Sequence, residues 1–154
     1  MNLPADIAVY SAESQLVLLV EVSTKNKIGL SSEWAAKMRS NIFAHGLLPK
    51  TPYFLLAFPE RFYLWKDADI SSDIIMPNYD IDATLFLQHY YDKANISPET
   101  VGKQSVEVIV CSWLHEIMIL DDLPEMIKQN QKWLIESGLF NAIKRGRVVL
   151  PVPV

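Results

Sequence analysis

One cysteine and five glycines in 154 residues leave several chemistries without material. The single thiol, Cys111, excludes a disulfide framework and a cysteine-rich zinc site. It fits a reducing compartment, so a cytoplasmic location is the expectation. There is no glycine-rich loop to cradle a phosphate and no nucleophile elbow of serine-hydrolase type. No apolar run approaches the roughly 20 residues needed to span a bilayer. The segment from Met1 to Asp6 has neither the basic nor the apolar character of an export signal. Histidine is scarce as well: His89 and His115 have no ligand partner at i+4, and His115-Glu116 lacks the second histidine of a zinc-protease helix. His45, just before Gly46, reads as a residue that serves the last carbonyls of a helix.

What the chain has is apolar bulk. Half of its residues are hydrophobic, enough for one domain to bury a core without covalent or metal staples. The net charge of -4 hides a split: residues 1–66 carry seven Lys/Arg against five Asp/Glu, and residues 67–154 carry seven against thirteen. An acidic total argues against a general nucleic-acid coat protein, whereas the first part is mildly basic.

Ile7 to Ala12 and Leu16 to Val22 are apolar on both faces and are separated by Glu13-Ser14-Gln15, which predicts a hairpin of covered central strands. A helix is expected over 32–45, opened by Ser31 or Ser32 with Glu33 in its first turn and stopped by Gly46 and Pro49. Tyr53 to Phe58 and Phe62 to Trp65 form a second strand pair around Pro59-Glu60-Arg61, and 67–81 reads as irregular. Asp82 is placed to cap a helix through Lys93, and Ser97-Pro98 to begin another segment. Val106, Ile109, Val110, Trp113, Leu114, Ile117 and Met118 recur at helical spacing. Leu123 to Ser137 is read as helical, Leu139 to Arg145 as two further turns, and 147–154 as an extended edge segment. The expectation is a single α/β domain with a core over 1–66, a mixed sheet of about four strands flanked by helices, and a helical C-terminal half over 82–146.

The hairpin carries the chemistry. A tight turn at Glu13-Ser14 or 12–15 sets Asp6 opposite Glu21, and directly paired strand positions have Cβ atoms about 4.5–5.5 Å apart. Two carboxylates so close repel unless a proton or cation intervenes. A hard ion such as Mg2+, which keeps several waters, needs little more than two such ligands. Ser23 shares their strand face. Taken singly, Asp6 could merely cap the start of a strand and Glu21 could pair with Lys25 or Lys27; their common register is what points further.

Pro4-Ala5-Asp6 before one strand and Glu21-Val22-Ser23 ending the next resemble the PD-(D/E)XK nuclease superfamily, whose core is restriction-endonuclease-like. The stretches EWAAKMRSNIFAHGLLPKTPYFLLAFPERFYLWK and WLIESGLFNAIKRGRV are similar to a small bacterial group within it. The resemblance implies Mg2+- or Mn2+-dependent phosphodiester hydrolysis on DNA, with Asp6 and Glu21 as metal ligands. Where the motif has a lysine, this chain has Ser23. Lys25 has the right parity to compensate, and Lys37 or Arg39 on the following helix could reach across. Lys27, Lys37 and Arg39 are the candidate nucleic-acid contacts. A second departure is that the superfamily core sets a helix and a strand ahead of the Asp strand, so later segments must fill that place or the core is abridged. The rival reading, supported by Ser23, is a non-catalytic nucleic-acid-binding or oligomeric module. A third is a subunit whose apolar and aromatic content covers a homodimer surface.

Overall fold

The computed structural model describes residues 5–25, 29–46, 48–68 and 71–150. Strand β1 (Ile7–Tyr10) pairs antiparallel with β2 (Leu16–Val22), Ile7 opposite Val20 and Val9 opposite Leu18. Past Val9 the register slips and Tyr10 faces Leu16. Ser11 closes the turn: its N–H donates to the Gln15 carbonyl at 2.7 Å, and its Oγ accepts from the amides of Glu13 and Gln15. With Ser11 bonded to Gln15 the turn takes neither expected form, two residues at Glu13-Ser14 or four over 12–15, and the slip between Val9 and Tyr10 is what sets Ile7 opposite Val20.

Helix α1 (Ser32–His45) follows. Ser31 Oγ accepts the Trp34 N–H at 3.1 Å, satisfying an otherwise orphaned donor of the first turn, and the Gly46 N–H donates to the Ile42 carbonyl at 2.8 Å. The helix crosses over to β3 (Tyr53–Ala57), which runs parallel to β2, and β4 (Arg61–Lys66) returns antiparallel. Two short strands complete the sheet, β5 (Tyr79–Asp82) beside β4 and β6 (Arg147–Val149) beside β1. The order is β5-β4-β3-β2-β1-β6, a mixed sheet of six strands where about four were expected. β6 falls in the segment expected to be an extended edge, whereas β5 lies largely in the stretch read as irregular; at four residues it is too short to carry a periodic signal, and its neighbour β4 makes it a strand.

Alternation along the strands divides the core. Ala8, Leu19, Phe54, Leu56, Tyr63 and Trp65 pack under α1, while Ile7, Leu18, Val20, Leu55, Leu64 and their row face the C-terminal helices. Every residue of β3 is buried, as a central strand covered on both faces must be. The C-terminal layer comprises α2 (Thr84–Ala94), α3 (Lys103–Met118), α4 (Glu125–Asn130), α5 (Lys132–Glu136) and α6 (Leu139–Ile143). Ser97-Pro98 makes only a turn, and α3 starts from Gly102. The helix expected over 123–137 breaks at Gln131, between an α4 that buries nothing and an α5 that inserts Trp133 and Leu134. Among the described residues no helix is long and apolar enough to cross a membrane.

Candidate functional site

Strand pairing brings Asp6 and Glu21 together. The Asp6 N–H donates to the Val20 carbonyl at 3.1 Å, and Asp6 Oδ2 accepts the Val22 N–H at 2.7 Å. The aspartate side chain therefore terminates the ladder in place of a backbone carbonyl, which fixes its direction. Both carboxyls face the same ammonium, that of Lys103. Burial and the neighbouring Asp6 carboxyl push the Glu21 carboxyl up to about 8, against the opposing pull of Lys103. A desolvated glutamate beside a second carboxyl keeps its own proton longer than it would in water.

The cation that meets them comes from a place the sequence reading did not consider. Lys103, first residue of α3, sets Nζ 3.1 Å from Asp6 Oδ1 and 3.8 Å from Glu21 Oε1. Burial works against the Lys103 charge, but the hydrogen bond to Asp6 and the charges of Asp6, Glu21 and Glu107 outweigh it, and its pKa is raised. Glu107, one turn further along α3, is itself pushed up by burial and by Asp6. A signal for Lys103 was present in the sequence. It lies on the helical line of Val110 and Leu114, which are core residues, and a lysine in a helix's first turn opposes the helix dipole unless an acid answers it.

The other candidates lie elsewhere. Lys25 is exposed and, among the described residues, makes no ion pair with Asp6 or Glu21. Its amide donates to Ser23 Oγ at 3.1 Å, so Ser23, buried at the strand end, shapes the loop backbone. Lys37 is exposed on α1. Arg39 is 1 % exposed, its guanidinium 4.0 Å from the Phe43 ring centre and 5.8 Å from that of Trp65. Enclosed between aromatic rings, it presents nothing to a phosphate, and that candidacy is corrected. Lys27 lies outside the described residues. His45 Nδ1 lies 2.9 Å from the Asn41 carbonyl oxygen, at the end of α1.

The donor set suits a hard cation. Two carboxylates, already drawn to one ammonium, offer oxygens of the kind that Mg2+ and Mn2+ take while keeping waters for the rest. Among the described residues no group of three or more His, Cys, Asp or Glu side chains is arranged to hold a metal ion, so the pair would have to rely on water, backbone or substrate for further ligands. No protein-family model matches the chain. Searches of curated proteins and of solved structures likewise find no match.

Proposed function

We propose that Asp6, Glu21 and Lys103 form the active site of a nuclease-like, Mg2+- or Mn2+-dependent phosphodiesterase acting on DNA. The observation that carries the reading is that one ammonium, Lys103 Nζ, lies 3.1 Å from Asp6 Oδ1 and 3.8 Å from Glu21 Oε1, so the two carboxyls face a single cation position. A restriction-endonuclease-like core of the PD-(D/E)XK kind is the architecture that agrees with it. The parallel pairing of β2 with β3 through α1 supports that core, and so does the way α3 and β6 supply, from the C-terminal side, a helix and a strand next to the Asp strand.

A bound divalent ion would supply polarisation of a phosphate oxygen and a water of lowered pKa. Asp6 and Glu21 would hold it through their oxygens, and the Val22 N–H keeps Asp6 from turning away. Lys103 is the basic group available to position a nucleophilic water and to offset negative charge on the phosphate. The motif lysine is thus replaced from another element rather than by Lys25. Of the expected nucleic-acid contacts within the described residues, Lys37 is exposed and open to a backbone phosphate.

A second reading has an observation of its own. The Lys103 bridge fastens α3 to the hairpin, and a charge-neutral trio of that kind also suits a non-catalytic binding module. Titration calorimetry with Mn2+ followed by plasmid nicking separates the two. The enzyme reading expects binding and nicking in the wild type, both abolished in Glu21→Ala. Metal binding without nicking moves the assignment to the module, and no binding at all removes the metal site.

A further inference from the structure

We infer that the Lys103 ammonium is the resident occupant of the cation position, and that a divalent ion enters by displacing it toward Glu107. The inference rests on the metal reading above and adds to it a competition built into the chain. The position between the Asp6 and Glu21 oxygens is the one a shared cation takes, and Nζ stands there at 3.1 and 3.8 Å. Two cations cannot both sit between those oxygens, because their mutual repulsion at such separations exceeds what either gains.

Displacement is open to Lys103 in a way it is not to the acids. The lysine side chain is 47 % exposed, against 18 % for Asp6 and 19 % for Glu21, so it can swing without unpacking the core. Its new partner is already beside it. Glu107 follows at i+4 on the same helix, at a spacing where side chains meet, and its charge acts on both Lys103 and Glu21. Asp6, tied to the Val22 amide, stays in place while the ammonium leaves. Divalent binding to this chain should therefore be weakened by its own lysine, while the same lysine, once moved, stays near enough to serve the substrate.

The test is Mn2+ alone, titrated by calorimetry and by electron paramagnetic resonance into the wild type, Lys103→Met, Lys103→Gln and Glu107→Gln. Lys103→Met and Lys103→Gln, checked for folding by thermal melting, should each bind Mn2+ at least ~10-fold more tightly than the wild type. Glu107→Gln should weaken binding in the wild type and lose that effect in the Lys103→Met background, the mark of a coupled pair. Equal or weaker binding in the folded lysine variants, with wild-type binding still abolished by Glu21→Ala, overturns the displacement and leaves the metal site standing. An absence of binding in every variant overturns both.

Discussion

At the scale of single residues, Gly138 occupies a place in the backbone that no side chain but hydrogen fits. Gly138 has φ +81°, and a Cβ there would lie 2.9 Å from the Tyr53 hydroxyl, which donates to the Ser137 carbonyl at 2.6 Å. Both the conformation and the space belong to glycine. Gly138→Ala should therefore cost more than ~1 kcal/mol, read as a lower urea midpoint at unchanged m-value. Tyr53→Phe, which removes the hydroxyl that a Cβ would meet, should recover part of the loss when combined with it. The candidate site shows the same contrast between local and distant determinants. Asp6 and Glu21 could be joined from the sequence because two-residue alternation relates them along adjoining strands, although the slip between Val9 and Tyr10, and neither expected turn, sets the register. Lys103 could not be assigned to them in that way, since only the docking of α3 against the hairpin end brings its ammonium there.

Elements were legible where their own residues decide them. Ser31, Glu33 and Gly46 bound α1 as the capping chemistry requires, and β1 to β4 have apolar runs long enough to declare themselves. Legibility failed where a tertiary partner decides. β5 is a strand because of β4, and α4 and α5 part at Gln131, which serves the core. Its Oε1 accepts the Trp113 Nε1–H at 2.9 Å, and Gln131 itself is buried with φ −134° and ψ 48°. Past the break, Trp133 joins the ring cluster of Phe62, Phe86 and Trp113. Gln131→Ala leaves the indole donor of Trp113 without that acceptor in a buried place. A loss of about 1–3 kcal/mol is expected from thermal or urea unfolding. Gln131→Glu, which keeps an acceptor, should lose less than Gln131→Ala at acid pH, where its carboxyl is neutral, if the break is held by this bond. An equal loss in both variants would assign the stabilisation to packing instead.

For the molecule as a whole, stability and the candidate site meet in the protonation of the acid pair. The folded chain holds the Glu21 proton up to about 8, whereas the ordinary value is 4.5, because burial and Asp6 disfavour its charged form. The folded state thus binds more protons than the unfolded one between those values, and stability must fall as pH rises across the window. The contribution is complete below the unfolded value and is lost as pH passes through the folded one. Glu107, raised for the same kind of reason, adds in the same direction. In buffer containing a chelator, the unfolding midpoint temperature should decline from pH 5 to pH 8.5. Glu21→Gln, which cannot ionise, should flatten most of that slope. A wild-type slope unchanged by Glu21→Gln would assign it to other groups and loosen the claim that two acids share one desolvated place. Mn2+ should restore stability most at the alkaline end, where the pair is charged and the ion has no proton to displace. Restoration that is equal at pH 5 and pH 8.5 would mean that the ion binds somewhere other than between Asp6 and Glu21.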